Sequence, residues 1–201
     1  MIDELLASLN LIISQTQANF QTLALILSIL WGIFILNQLL GKRLLYLGII
    51  PRHLFGIPGI FFAPFLHANF NHLFFNSIPL VVLANFILIN GLFYFLWVTL
   101  SITVISGVLI WCFAKSGIHI GASALITGYW GLLVTNIMQQ GTMTAIILGV
   151  ISLYYFAGIF YGVFPGKKGV SWEGHLFGLV AGFATSYLIK NWIYLQQLLQ
   201  W

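Results

Sequence analysis

Six long apolar runs follow one another along this chain, and glycine, basic or amide residues close most of them. A helix of about 20 apolar residues is long enough to cross the hydrocarbon core of a bilayer. The pattern therefore predicts an all-α, polytopic membrane protein with six transmembrane helices. The runs cover residues 22–40, 72–89, 92–114, 123–138, 143–161 and 175–189.

The other segments fit around a single membrane domain, predicted over residues 22–190. Residues 1–21 carry Asp3 and Glu4 where a leader peptide would carry positive charge, so we expect a short amphipathic segment there. Residues 44–66 are apolar, but prolines divide them into pieces too short to cross as a helix. We predict that this stretch is a partly immersed loop packed against the helices, and that residues 191–201 form a C-terminal tail.

Composition narrows the possible functions. Hydrophobic residues make up 61% of the 201 positions, with seven basic and three acidic residues, which excludes an ordinary soluble domain. The net charge of +4 is too sparse for a nucleic-acid-binding surface, so the expected surrounding is the lipid bilayer. The chain has one cysteine, Cys112, so it cannot form a disulfide bond within itself. We expect no cofactor and no metal, since the sequence has no His-Glu-x-x-His pattern and offers no carboxylate available to activate metal-bound water.

Helix parity places several polar side chains in one layer. If each run crosses once, the second, fourth and sixth helices begin on the same side of the membrane. His72 and Asn76 open the second helix, Ser123 opens the fourth and His175 opens the sixth. These side chains would lie about one or two helical turns below one membrane face, where polar groups are costly and usually have a function.

Small residues recur at every fourth position on two of these helices. Gly174, Gly178 and Gly182 do so on the sixth, and Ala124 and Gly128 on the fourth. Such stripes favour close backbone contact in lipid, which would bring His175 near Ser123, although ordinary packing is an equally good explanation.

Ser123 is a candidate nucleophile and His175 its candidate general base. Taken singly, the serine is better explained by a bond to its own helix and the histidine by an interfacial position. Taken together, a neutral imidazole within about 3 Å of the hydroxyl would activate it. Glu173 lies two positions from His175 and faces elsewhere on a helix, so a dyad is predicted rather than a triad. His119 is a rival base, but Gly121 is expected to break the helix and leave it in a loop.

His72 and Asn76 are candidate donors to the oxyanion of a tetrahedral intermediate. They are four residues apart and therefore share one helix face. The alternative is that they only hydrogen-bond the preceding loop. His67 and Asn71 fit that structural role better, because they lie at the end of the loop.

These residues resemble the rhomboid intramembrane serine proteases, and the resemblance covers most of the chain, from residue 22 to 190. It rests on His67, on the pair His72 and Asn76, on Gly121-Ala122-Ser123 with Gly128, and on Gly174-His175-x-x-Gly178-x-x-x-Gly182. It implies a six-helix bundle in which Ser123 is the nucleophile and His175 the base. The oxyanion hole would comprise His72, Asn76 and the Ser123 amide, and structural residues near the site would be His67, Gly121, Gly174 and Gly178.

The resemblance also implies substrates, namely membrane proteins with a transmembrane helix cleaved in or near that helix. The loop 162–172 would cap the site, and the aromatic fifth helix would flank a lateral gate. The sequence departs from the family pattern at Ala124, where glycine is commonest, and at Thr127, where an aromatic residue often stacks on the histidine. Pro51-Arg52 stands where many members have Trp-Arg. We therefore expect other contacts to orient His175.

Charge placement conflicts with the commonest family topology. The odd-numbered loops carry Lys42, Arg43, Arg52, Lys115, Lys167 and Lys168, against Lys190 on the other side. The positive-inside rule places the odd loops and the mouth of the site in the cytoplasm, whereas many rhomboids open outward. The orientation stays open at this point.

The predicted function is that of an intramembrane serine endopeptidase in a bacterial plasma membrane. The alternative is a catalytically inactive rhomboid-like protein that binds membrane clients. A transporter is disfavoured, since the sequence shows no paired intramembrane charges and no broken-helix repeat. The sequence identifies neither the natural substrate nor the oligomeric state.

Overall fold

The computed structural model describes residues 1–165 and 171–199, with side chains described as far as residue 191. Within this part of the chain the structure is helical, and the extended backbone is limited to one isolated bridge between Ile49 and His119. The α-helices are α1 (Ile2–Ala18), α2 (Phe20–Leu39), α3 (Gly59–Phe62), α4 (Phe70–Leu88), α5 (Leu92–Phe113), α6 (Ser123–Gln140), α7 (Met143–Phe156) and α8 (Trp172–Leu199).

The prediction of an all-α polytopic membrane protein is confirmed. In the described residues, four segments are long and apolar enough to span a bilayer: Phe20–Leu39, Phe70–Leu88, Leu92–Phe113 and Met143–Val163. The first three are helices α2, α4 and α5, and the fourth is α7 with the 3₁₀ turns that follow it. The helices α6 and α8 fall outside this group. Both carry polar side chains along faces buried inside the bundle, which lowers their hydropathy.

Several helix ends differ from the hydropathy boundaries. Helix α8 begins at Trp172 instead of residue 175 and continues to Leu199, past the predicted end at residue 189. Helix α7 ends at Phe156, and a 3₁₀ segment over Ala157–Val163 completes the fifth run. The reason is that hydropathy reports the depth of a segment in the membrane, while a helix ends where caps, glycine or proline end it. Lys190 and Asn191 change the polarity of α8 without breaking it.

The N-terminal segment is the helix α1, and a turn at Asn19 separates it from α2. Helix α1 packs against α7 and α4. The contact with α4 is polar: the Asn85 amide donates to the Thr16 hydroxyl at 2.8 Å, and the Asn19 amide donates to the Asn85 oxygen at 3.2 Å.

The loop between α2 and α4 is compact and packs against the helices, as predicted. It contains 3₁₀ turns at Arg43–Leu47, Leu54–Gly56 and Ala63–Phe65 as well as α3, which lies against α5. Arg52 links this loop to the end of α5, because its guanidinium donates to the Ala114 carbonyl at 2.8 Å and to the Cys112 carbonyl at 3.3 Å. A cation at the C-terminal carbonyls of α5 is also favoured by the helix dipole.

Helix α6 lies at the centre of the bundle, and its closest neighbour is α8. The glycine stripe allows this approach: a Cβ placed on Gly178 would collide with the Ala124 carbonyl, and one placed on Gly182 would collide with the Gly128 carbonyl. Larger residues would push the two backbones apart. This contact sets the starts of α6 and α8 side by side.

Candidate active site

The predicted polar layer surrounds one open cavity of about 580 Å³. Its lining comes from the first turns of α4, α6 and α8 and from the loop before α6. The cavity is bounded by Ala68, Asn69, Asn71, His72, Phe75, Asn76, Ile118, His119, Ile120, Ser123, Ser171 and His175. Ser123, His175, His72 and Asn76 therefore meet at one place in the fold. Within the described residues, Ser123 and His175 share the cavity without a direct hydrogen bond between their side chains.

Ser123 is the first residue of α6, directly after a sharp turn in the backbone. Gly121 makes this turn with φ of +110°, a value that side chains disfavour. The first amide groups of a helix have no acceptor within the helix, and the helix dipole makes that end favourable for negative charge. The same turn thus exposes the Ser123 hydroxyl and leaves backbone donors beside it.

His175 is held by a carbonyl group rather than a carboxylate. Its Nδ1 donates to the Gly162 carbonyl oxygen at 2.8 Å, in the 3₁₀ segment that ends α7. Since a carbonyl only accepts, Nδ1 carries the ring proton and the Nε2 of the neutral ring has a free lone pair. Gly162 must be glycine for this contact, because a Cβ there would lie 2.9 Å from the His175 Cε1 and closer still to Nδ1.

His72 and Asn76 converge on Gly121. A Cβ on Gly121 would lie 2.6 Å from the His72 Nε2 and 3.5 Å from the Asn76 Nδ2. Both polar groups therefore border the turn that precedes Ser123. Their helix is fixed at its start, since the Asn69 side chain accepts the His72 backbone N–H at 2.9 Å.

His67 supports this pair from the loop before α4. Its Nε2 accepts the Asn76 amide at 3.2 Å, and its ring lies edge-on to the His72 ring with 5.0 Å between centroids. The side chain is almost fully buried. Burial, with a smaller contribution from the neighbouring His72, lowers the pKa of His67 to about 4. His67 is therefore neutral at pH 7 and able to accept the bond from Asn76.

His119 lies in the loop between α5 and α6, where the break at Gly121 was predicted to leave it. Its Nε2 donates to the Lys115 carbonyl at 2.9 Å, so its Nδ1 is an acceptor and takes the Ser171 hydroxyl at 3.0 Å. With both nitrogens occupied, this ring has no lone pair free for Ser123. Glu173 is buried and points to Lys115 at 4.0 Å.

Other predicted features fall outside this arrangement. Thr127 donates back to the Ser123 and Ala124 carbonyls, at 2.9 and 3.0 Å, and packs against Gly178. Thr127 therefore does not stack on His175 as an aromatic residue at that position would. The bond to the Gly162 carbonyl is the contact that orients His175. No group of three or more His, Cys, Asp or Glu residues is placed to hold a metal in the described residues. The predicted capping loop falls partly at 166–170, outside those residues.

Two polar groups at the site were missed by the sequence analysis. The Gly162 carbonyl left no signal, because any residue has a carbonyl and only the fold shows which one faces His175. Ser171 was detectable. A serine directly before an apolar helix is a common N-cap, and its hydroxyl accepts the Gly174 N–H at 3.2 Å.

The family model of the Rhomboid domain matches residues 55–192. Uncharacterised proteins of Mycobacterium bovis and Mycobacterium tuberculosis are each 37% identical over 178 residues, covering 84% of this chain and 74% of theirs. An uncharacterised protein of Mycobacterium leprae is 39% identical over 142 residues, covering 66% of this chain and 56% of its own. The resemblance to rhomboids is thereby confirmed, and the chain belongs to the rhomboid family.

Proposed function

We propose that this chain is an intramembrane serine endopeptidase with a Ser123–His175 dyad, built on a six-helix bundle in which α6 and α8 also span the bilayer. The observation that carries the proposal is the bond from His175 Nδ1 to the Gly162 carbonyl. It fixes the tautomer whose Nε2 can accept a proton, on a ring that borders the same cavity as Ser123. Hydrogen bonds between catalytic groups commonly tighten only when substrate binds.

The reaction follows from these positions. His175 Nε2 takes the proton of the Ser123 hydroxyl while Oγ bonds to the carbonyl carbon of the substrate peptide. The tetrahedral oxyanion collapses, the C–N bond breaks, and the leaving amine takes the proton from Nε2. A water molecule then gives a proton to Nε2 while its oxygen bonds to the acyl carbon. The C–Oγ bond breaks and Oγ takes the proton from Nε2, which restores Ser123 and His175 and releases the carboxylic acid, whose proton passes to solvent.

The oxyanion would form beside Gly121. The backbone amide of Ser123, the ring of His72 and the side-chain amide of Asn76 would supply donors around that turn. These donors are neutral, and the cavity lies among apolar helices, where such bonds are stronger than in water. One donor of this kind contributes about 3 to 4 kcal/mol to transition-state stabilisation.

Substrates of this mechanism would be membrane proteins whose transmembrane helix reaches the cavity from the bilayer. The aromatic face of α7 and of the 3₁₀ segment that follows it is turned outward, with Tyr154, Tyr155 and Tyr161 each more than 70% exposed. We place substrate entry beside this face. The bacterial relatives support a plasma-membrane location.

A catalytically silent rhomboid-like protein that binds membrane clients is the competing function. Such a protein has no use for a free imidazole lone pair or for donors grouped beside a serine. The arrangement at His175, Gly162 and Gly121 therefore favours the enzyme.

The test uses purified protein in detergent and a labelled single-span substrate. We expect cleavage by the native chain and a loss of at least roughly 10³-fold in kcat for Ser123→Ala and for His175→Ala. Ser8→Ala, in helix α1 away from the cavity, is the matched control and should retain full activity. Undiminished cleavage by Ser123→Ala would exclude the dyad. Absence of cleavage by the native chain, together with tight binding of transmembrane clients, would support the silent alternative.

A further inference from the structure

His119 is fixed in place more firmly than its loop position suggests. Its backbone N–H donates to the Ile49 carbonyl at 2.9 Å, and the Ile49 N–H donates back to the His119 carbonyl at 3.0 Å. Two residues later the Gly121 N–H donates to the Ala63 carbonyl at 2.9 Å. The segment that leads into Ser123 is thus anchored at two points to the loop between α2 and α4.

The ring of His119 extends this anchorage to helix α8. Its Nε2 donates to the Lys115 carbonyl, and its Nδ1 accepts from the Ser171 hydroxyl. The Ser171 oxygen in turn accepts the backbone N–H of Gly174, the residue directly before His175. One serine hydroxyl therefore caps the helix that carries the base and binds that helix to the loop that precedes the nucleophile.

A small cavity marks the same junction. It has a volume of about 40 Å³ and is bordered by His119, Ser171, Gly174 and Ser123, among others. The bond between His119 and Ser171 thus lies beside the nucleophile, because both residues border the same small cavity as Ser123. The ion pair of Lys115 and Glu173 spans the same gap, but Lys115 is 80% exposed and its contribution is small.

We propose that His119 and Ser171 are a positioning pair that sets the base of the dyad against its nucleophile. This inference rests on the proposed function and extends it. A Ser-His dyad has no carboxylate to orient the imidazole, so the helix that carries the imidazole must itself be held. The Gly162 carbonyl fixes the rotation of the His175 ring, and the pair fixes the start of its helix relative to Ser123.

The kinetic test separates two roles of the Ser171 hydroxyl, its bond to His119 and its cap on α8. Ser171→Ala removes both, and we expect kcat to fall by about 10- to 100-fold with KM nearly unchanged, because a small misplacement affects the chemical step. Ser171→Thr keeps a hydroxyl and should restore most of kcat. Thr142→Ala is the matched control: Thr142 caps α7 by accepting the Ala145 N–H at 3.2 Å, and among the described residues its side chain bonds no other loop. It should lower Tm as much as Ser171→Ala while kcat is retained.

The two ends of the His119 ring are distinguished by amide substitutions. His119→Asn places an acceptor near the position of Nδ1 and should keep the Ser171 bond and most of kcat. His119→Gln places an amide near the position of Nε2, which keeps the Lys115 bond and should lower kcat like Ser171→Ala. Equal activity of these two variants, or losses in kcat no larger than that of Thr142→Ala, would overturn the positioning role.

A second readout does not depend on proteolysis. The ring ¹⁵N chemical shifts of His119 and His175, assigned by single-histidine substitutions, report which nitrogen donates and which accepts. In Ser171→Ala we expect the His119 Nδ1 signal to lose its hydrogen-bond shift and the His175 signals to move. If the native chain cleaves nothing, the proposed function fails while this measurement still decides the pair. Unmoved His175 signals would refute the pair whatever the activity.

Discussion

Helices α4, α6 and α8 each carry polar side chains at two depths, the first near the start of the helix and the second about three to four turns further along. The site layer consists of His72, Asn76, Ser123 and His175, at the starts of the three helices, and borders the open cavity. The opposite layer consists of Asn85, Asn136 and Ser186, which lie 11 to 13 residues further along, or roughly 17 to 20 Å at 1.5 Å per residue.

The two layers use hydrogen bonds differently. In the opposite layer the Ser186 hydroxyl donates to the Asn136 oxygen at 2.9 Å, and the Asn136 amide donates to the Tyr94 hydroxyl at 3.3 Å. In the site layer the bonds run outward to Gly162 and His67, and the remaining donors and lone pairs border the cavity. Asn85, the third member of the opposite layer, bonds the Thr16 and Asn19 side chains of the N-terminal segment. The opposite layer thus uses its polar groups to join helices to one another. The site layer is supported by Gly162 and His67 and keeps its other donors and lone pairs free for a ligand.

The largest expected difference between the layers concerns Asn76. Asn76→Ala removes an oxyanion donor, and kcat should fall by about 10²- to 10³-fold, measured on the labelled transmembrane substrate. Ser77→Ala is the control on the same helix: the Ser77 hydroxyl bonds the Leu73 carbonyl at 2.8 Å and does not border the cavity, so kcat should change by no more than about twofold. Equal losses in both variants would mean that the site layer has no specific donor there.

The second prediction concerns the support behind His175. Gly162→Ala places a methyl group against the imidazole and should lower kcat by about 10²-fold, since the ring must leave its position. Gly158→Ala lies in the same 3₁₀ segment with nothing within 4 Å of the added methyl. If Gly158→Ala is fully active and Gly162→Ala is not, the loss of kcat comes from displacement of the His175 ring and not from a change in the 3₁₀ segment. A similar loss in both variants would contradict this role of Gly162.

The third prediction uses the pH dependence of stability. The pKa of His67 is lowered to about 4 in the folded protein, against about 6.5 in an unfolded chain. The unfolded chain therefore binds more protons, and the stability from His67 is complete above about pH 6.5 and is lost as the pH falls towards 4. Between pH 7 and 4.5 the loss should be on the order of 2 to 3 kcal/mol.

The measurement is the thermal unfolding temperature in detergent across that range. His67→Gln offers an acceptor to Asn76 that does not titrate, so its Tm should fall less steeply with acid. An identical slope for both proteins would show that protonation of other groups controls acid unfolding.

The smallest expected effect belongs to the opposite layer. Asn136→Leu removes the nearer acceptor of the buried Ser186 hydroxyl and leaves it the Gln139 oxygen at 3.1 Å, so it should cost about 1 kcal/mol of the free energy of unfolding. The kcat of the remaining folded protein should be unchanged. Thr135→Ala is the control, because within the part of the chain that the structure describes the Thr135 hydroxyl bonds the Gly131 carbonyl of its own helix, at 2.8 Å, and no other group. A large fall in kcat for Asn136→Leu would break the distinction between the layers.

Local sequence patterns predicted much of this architecture. Apolar runs and prolines marked the helices and the folded loop, and helix parity grouped Ser123 with His175. The ends of α7 and α8 were predicted less well, because Ala157–Val163 changes to 3₁₀ geometry and Lys190 does not end a helix. Hydropathy describes the surroundings of a residue and not its backbone bonds.

The sequence by itself determined a membrane-embedded helical chain, the side on which its polar residues gather, and the residue types available for the chemistry. These follow from local composition and from the rule that each span reverses direction. Only the tertiary structure decided that Gly162 fixes the His175 tautomer, that His67 supports Asn76, and that His119 is bound to Ser171 and unavailable as a base. The reason is that each of these contacts is a single hydrogen bond between segments that only the fold brings together. The spacing of residues along the chain does not show which segments meet.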